Sequence, residues 1–404
     1  MDNETKYILM HKNVKVAEIT YSDVSHCRLG KVFDREHLPP NMEGYCKIAG
    51  FEEWWNWIRI IPNSRRGYPH LMDMYSKHPF SELRFRSRAL SLSDHYWVRG
   101  KRDKTAWEDV NFFDNGYSRS FGDFLLGCGR NDDGHIWLPD LDDMEMNTPD
   151  PTCNGDLEKR WMRKDGTDHL YKSGLFQRKQ EAFNEKLCSD IMDAFDVPHV
   201  HYDLCWMKGR PFSRCPNLVT KDTEMIPAFM VMNKRGTTNL ADGFVKECAD
   251  HALDVRKRMD MMLTMDCITG QTDRHLNNFG ILRDPDTLEW IDMIPLYDNG
   301  GCFDYDRGYG KLTDGRRIQE GPACRIFAET FDGLMSQVSS LDWLEADLLR
   351  DVPAMVEDEF SKHRDFMNMD ERERGMDTDR VHLLVENTEL RLGAVARRLD
   401  ELRP

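Results

Sequence analysis

Nowhere in the 404 residues does an apolar run approach the roughly 20 residues that a membrane helix needs. The charged opening MDNETKYILMHKN has no apolar stretch of the kind that directs secretion. Both absences point to a soluble protein of the cytoplasm. Cysteine pairing is also missing: the 11 cysteines are an odd number, scattered from Cys27 to Cys324, with no CxxC pair and no Cys/His cluster at zinc spacing. They are expected to be reduced, mostly buried, small hydrophobes. Positive charge is scarce, and a formal net charge of −16 argues against strong direct binding of nucleic acid, because phosphate backbones demand clustered Lys and Arg. The mixed run RRGYPH from Arg65 is too short to change this and reads as solvated loop. No internal repeat is visible.

What is present is enough apolar material for real cores. Hydrophobic residues make up 40% of the chain and aromatics 10%, which excludes a disordered class. At about 150 residues per domain the length predicts two or three domains. Residues 1 to 135 form a mixed N-terminal module, with short alternating runs such as Val14-Lys15-Val16-Ala17-Glu18-Ile19. The cluster Trp54-Trp55-Asn56-Trp57 reads as a core anchor rather than a stacking site. The acidic, Pro-rich stretch that runs through Pro139, Pro149 and Pro151 to Gly155 reads as a loop. A hairpin follows, in which Leu157–Lys164 and Thr167–Lys172 are joined by Asp165-Gly166, the signature of a tight type I′ turn. It delivers Lys172 near its end.

Phe183, Leu187, Ile191 and Phe195 recur every fourth residue, which predicts a helix from Arg178 to Phe195 that Pro198 stops. Val200, Tyr202, Leu204 and Trp206 then alternate with polar residues as a strand would. Hairpin, helix and strand in this order match a kinase small lobe, here residues 136 to 232, where a strand lysine holds nucleotide phosphates and a helix glutamate orients it. Lys172 is the candidate lysine. Glu181 and Glu185 share a helix face, and spacing alone does not choose between them. His199 and His201 form an HxH pair with no third ligand placed beside it in sequence, so they read as strand alternation.

Residues 233 to 404 form the mostly helical large lobe. A long amphipathic helix is predicted from Asp242 to Leu263, and helical periodicity recurs over Leu341–Phe360 and Val381–Leu399. Between them lies the loop from Gly270 to Gly280, GQTDRHLNNFG, followed by a second hairpin and then PLYDNGG from Pro295. Phosphoryl transfer needs a carboxylate to take or steer the proton of the attacking hydroxyl. It also needs hard oxygen ligands for magnesium. Asp273 supplies the first. Asn278, five residues on in the same loop, and Asp298, ahead of glycines that free its backbone, supply the second.

TDRHLNNFG and PLYDNGG resemble the catalytic and metal-binding motifs of the HipA-like serine/threonine kinases, which are distantly related to the phosphoinositide kinases. The resemblance extends to KRWMRKDGTDHLYKSG, EAFNEKLCSDIMDAFDVPHVHYDL, CPNLVTKDTEMIPAF, SLSDHYW from Ser91 and WEDVNFF from Trp107, so it covers most of residues 1 to 300. It implies an α+β, bilobal, protein-kinase-like fold of the HipA type, with ATP and Mg²⁺ as cofactors. Asp273 becomes the catalytic aspartate, with Arg274 and His275 as organisers of its loop and an arginine within reach of phosphate. Asn278 and Asp298 become the magnesium ligands, Lys172 the ATP-phosphate lysine and Glu185 its partner. Adenine is expected near Ala228, Met230 and Met232, on a connecting strand whose backbone would bond the base.

The better-known members carry a Gly/Ser-rich phosphate loop with a phosphorylatable serine, whereas this chain has Thr148-Pro149-Asp150-Pro151-Thr152-Cys153-Asn154-Gly155. Gly155 is the nucleotide-loop candidate there. Thr148 and Thr152 offer hydroxyls for autophosphorylation, which would add roughly −2 charge beside an anionic site. The resemblance further implies a protein substrate, a toxin-like role and an antitoxin-like partner, with no membrane. A lipid or small-molecule kinase, a nucleotidyltransferase and a nucleotide-binding pseudokinase that acts as a regulatory partner remain open as alternatives.

Overall fold

The computed structural model describes residues 5–21, 27–42, 50–55, 59–62, 65, 80–126, 144–174, 180–207, 209–232, 239–313, 326–367 and 377–403. The chain divides into two compact units. One comprises Met1–Lys172, Pro216–Lys234 and Ile281–Ile291; the other comprises Ser173–Cys215, Arg235–Gly280 and Asp292–Pro404. Among the described residues no helix is long and apolar enough to cross a membrane.

In the first unit, β1 (Thr5–His11), β2 (Val14–Tyr21), β3 (Cys27–Val32) and β4 (Tyr96–Gly100) form an antiparallel sheet in the order β3-β2-β1-β4. Alternation along β1 puts Ile8 and Met10 on one face, where they join Leu90, Leu92, Trp97, Trp107, Phe112 and Trp161 in one apolar cluster, while Leu9 is buried on the other face. The segments SLSDHYW and WEDVNFF therefore supply core. Trp54 and Trp55 are buried as a core anchor predicts, while Trp57 lies outside the described residues. Arg65 departs from the solvated reading. It is buried, and its guanidinium donates to the carbonyls of Gly155 (2.9 Å) and Cys153. The rest of that run lies outside the described residues.

The expected hairpin is present as β5 (Lys159–Lys164) and β6 (Thr167–Ser173), with Lys159 opposite Lys172 in register. Asp165 and Gly166 have φ of 53° and 81°, both in the left-handed region that a type I′ turn requires.

In the second unit, α1 (Glu181–Ala194) matches the fourfold apolar spacing, with Phe183, Leu187 and Ile191 fully buried. The strand expected from Val200 instead begins at Asp203, as β7 (Asp203–Met207), paired with β8 (Arg210–Pro216). The backbone just before it is bonded elsewhere. Val200 N–H donates to the Leu296 carbonyl at 2.8 Å, Leu296 N–H to the Pro198 carbonyl at 3.0 Å, and Tyr202 N–H to the Ser189 hydroxyl at 3.1 Å.

The single long helix predicted from Asp242 is two, α2 (Leu240–Asp250) and α3 (Arg256–Thr269). Asn239 caps α2, its side chain accepting from Ala241 and Asp242 N–H. Ala252, at φ 60°, turns the chain out of the helix, and Asp254 accepts from Arg256 N–H as α3 begins. In the C-terminal region α4 (Val352–Met367) begins later than Leu341, after a 3₁₀ turn at Ala346–Arg350, and α5 (Thr378–Leu402) follows.

Candidate active site

The site in the second unit is built on the end of α3. Gly270 ends that helix at φ 66°, where an added Cβ would fall 2.8 Å from the guanidinium carbon of Arg391 on α5. Glycine is required there by both conformation and space. The chain then enters the loop with Asp273, and a network of polar side chains holds it.

Arg274 is the centre of that network and is 1% exposed. Its Nε and Nη2 take the carboxylate of Asp266, at 3.0 and 2.7 Å. Nη1 donates to the carbonyls of Asn278 (3.1 Å) and Tyr297 (2.8 Å), and Nη2 also donates to Asn299 Oδ1 (2.9 Å). A guanidinium has five N–H groups. These bonds engage all five, so Arg274 is an organiser and has no donor left for a phosphate. Burial pushes the Asp266 carboxyl up from its ordinary range, and the adjacent Arg274 charge opposes that rise.

Asp273 is exposed, with its backbone N–H on Gln271 Oε1 at 2.9 Å. Asn278 is buried, and its Nδ2 donates to the Asp273 carbonyl at 3.1 Å. That bond fixes the amide, leaving Oδ1 as the end that can bind a cation. Asp298 is partly buried at φ 59°, with its N–H on the Tyr202 hydroxyl (3.2 Å) and its carbonyl accepting from Gln271 Nε2 (3.1 Å). Gly301 lets the two loops approach: a Cβ there would lie 2.8 Å from both Asp273 Cβ and Gln271 Oε1. One carboxylate and one amide oxygen are hard donors of the kind that magnesium takes, so the chemistry of the residues fits the ion. His275 is an exposed turn residue whose carbonyl accepts from Asn278 N–H at 2.8 Å.

α1 is tied to the second loop by residues that sequence reading missed. Asn184 Nδ2 donates to the carbonyls of Gly300 and Cys302, both at 2.8 Å, and Gln180 Nε2 to Phe303 at 3.0 Å. Asn184 in turn accepts from Gln180 at 3.0 Å. The available signal was a polar Asn184 beside the apolar positions Phe183 and Leu187. Glu181 and Glu185 are both buried, and Glu185 accepts from the Ser213 hydroxyl on β8.

The remaining expected site residues lie in the first unit. Lys172 is buried on β6. Ala228–Val231 is a helical turn, not the expected connecting strand: Met232 N–H donates to the Ala228 carbonyl at 2.8 Å. Asn41 occupies the Met230 and Val231 carbonyls. Gly155 has φ 101°, and a Cβ there would fall 2.2 Å from Lys159 Nζ.

Thr148 and Thr152 are not exposed hydroxyls. Thr148 donates to Asp150 Oδ2 at 3.1 Å and Thr152 to the Leu90 carbonyl at 2.9 Å, both buried. The turn between them is also anchored, since the buried Asp150 accepts from Trp161 N–H at 2.8 Å.

No protein-family model and no curated protein matches the chain. Among solved structures it is similar to Shewanella oneidensis MR-1 HipA, solved in complex with HipB and operator DNA, with a TM-score of 0.51 and 11% identity over 98% of this chain and 99% of that one. It is also similar to the Helicobacter pylori proinflammatory kinase CtkA, with a TM-score of 0.44 and 16% identity over 60% of this chain and 94% of that one. The nearly complete overlap with HipA establishes architecture, and the chain adopts the HipA-type, kinase-like α+β fold.

Proposed function

We propose that the chain is an ATP- and Mg²⁺-dependent kinase that transfers the γ-phosphate to a Ser or Thr hydroxyl of a protein. The carrying observation is that one buried guanidinium, Arg274, binds the carbonyls of Asn278 and Tyr297 together, so the loop of Asp273 and the loop of Asp298 are held as one body. In this reading Asp273 accepts or steers the proton of the attacking hydroxyl. Asn278 Oδ1 and Asp298 would hold magnesium, which would supply positive charge for the transferring phosphates. By resemblance we assign Lys172, Gly155 and the Ala228–Met232 turn of the first unit to nucleotide binding, and Glu185 of the second unit to the role of the orienting glutamate. The HipA-type fold supports the assignment.

Because the Shewanella HipA was solved with HipB and operator DNA, we extend the proposal to a toxin-like role in the cytoplasm, held by an antitoxin-like protein partner. The test is incubation of purified protein with γ-labelled ATP, Mg²⁺ and a cell lysate, alongside Asp273→Asn. Label on protein Ser or Thr that vanishes with the variant supports the reading. Label on lipid or on a small molecule, or no Mg²⁺-dependent label, overturns it.

A further inference from the structure

At the C-terminal end of α1, well apart in the chain from the loops described above, the fold assembles the third ligand that the HxH pair lacks in sequence. Asp193, His199 and His201 each turn one donor atom inward, and all three atoms lie within 4.8 Å of one another. Asp193 Oδ1 is 3.3 Å from His201 Nδ1 and 3.8 Å from His199 Nε2. Bonds of about 2.0–2.2 Å at tetrahedral angles put neighbouring ligand atoms about 3.3–3.5 Å apart. The two distances from Asp193 are therefore within a few tenths of an ångström of zinc geometry.

From these positions we infer that Asp193, His199 and His201 form a binding site for a divalent transition-metal ion of the zinc class, with one coordination position left to water.

The surroundings prepare the ligands. His199 Nδ1 lies 2.8 Å from the Val197 carbonyl, a contact that requires the proton on Nδ1 and leaves a lone pair on Nε2. A ligating histidine is commonly oriented by such a bond on its other nitrogen. Ser189 Oγ sits 2.9 Å from Nε2 and also accepts from Tyr202 N–H. An ion on Nε2 takes the place that this hydroxyl holds, so the Ser189 side chain must swing aside as the ion enters. The negative end of the α1 dipole adds a favourable field for a cation at this terminus. Two nitrogens and one carboxylate suit zinc better than magnesium or calcium, which prefer all-oxygen sets.

Position gives the site a consequence. His199 pairs with Leu296 in an isolated parallel bridge, two residues before Asp298. Occupancy staples the end of α1 to the segment that carries this bridge, so bound metal should raise the unfolding temperature whether or not the protein is a kinase.

The test uses the full-length protein, stripped with a chelator and titrated with Co²⁺ and then Zn²⁺. The expected result is one Co²⁺ per chain with visible d–d absorption of nitrogen and oxygen ligation, displaced by Zn²⁺, and a raised melting temperature. Asp193 and His201 are exposed, so D193A and H201A should fold normally and bind roughly 10-fold or more weakly. Three results would overturn the inference: no uptake at micromolar metal, equal uptake by both variants, or a thiolate charge-transfer band showing that cysteines alone hold the ion.

Discussion

Arg274 sets two guanidinium nitrogens on the carboxylate of Asp266, at 2.7 and 3.0 Å, with both side chains withdrawn from water. Removing one member of such a pair strands the other charge in the interior, at a cost of about 3–5 kcal/mol. Arg274→Ala should lower the urea midpoint by a corresponding amount. Arg274→Lys should lose activity even where the fold survives, because an ammonium cannot span Asp266, Asn278, Tyr297 and Asn299 at once. Unfolding curves and labelling rates on the same preparations check both.

Asp273 and Asp298 occupy surface-accessible or partly buried positions, so their loss should leave the fold intact. Asp273→Ala and Asp298→Asn, the latter because asparagine tolerates the φ of 59° there, should each reduce phosphate transfer by roughly 10²–10⁴-fold with the melting temperature nearly unchanged. Wild-type rates in both variants would move the chemistry elsewhere.

Asn278 keeps Oδ1 as its cation-binding end because Nδ2 donates to the Asp273 carbonyl. Asn278→Ala should therefore raise the Mg²⁺ concentration needed for half-maximal rate, with partial recovery at high Mg²⁺. A Mg²⁺ dependence equal to wild type would remove it from the ligand set.

Gly301 is required by space rather than by conformation. In Gly301→Ala the new methyl carbon meets Asp273 Cβ and Gln271 Oε1 at 2.8 Å, so the loops must part by several tenths of an ångström. A displacement near 1 Å can cost about 10²-fold, so the expected signature is a fall in kcat approaching that size with a circular dichroism spectrum like wild type.

In the first unit, Glu224 is fully buried between His11 and Arg283, with contacts of 3.0 and 2.6 Å. Burial alone would raise its carboxyl, but the His11 and Arg283 charges outweigh burial and hold it well below its ordinary value of 4.5. A depressed folded pKa contributes stability that is present above the unfolded value and lost as pH falls through the folded one. Wild type should therefore lose stability progressively below about pH 4.5. Glu224→Gln should be less stable at pH 7 and show a shallower acid loss. Parallel acid-dependence curves in urea would contradict this ion-pair account.

The elements that were legible in sequence are those whose signals are local. Asp165-Gly166 marks its turn because only residues tolerant of positive φ close a two-residue hairpin, and α1 shows its apolar face every four residues. Local periodicity was also where reading failed. Ala252 interrupts the helix predicted from Asp242 by adopting φ 60°, a state that alanine does not advertise. The backbone of Val200 and Tyr202 is taken by Leu296 and Ser189, which no alternation pattern announces. Thr148 and Thr152 looked like available hydroxyls because burial of a turn depends on what packs over it.

The sequence by itself determined the order of elements and the identity of the polar residues Asp273, Asn278 and Asp298, since propensity and turn chemistry act over a few neighbouring residues. Only the tertiary structure decided who holds them. Asn184 reaches Gly300 across 116 positions, Arg274 reaches Tyr297 across 23, and Asp193 comes beside His199 and His201 only because α1 ends where it does. Those partners are chosen by the need of buried polar groups for hydrogen bonds. That need is met in space and leaves no spacing rule in the chain.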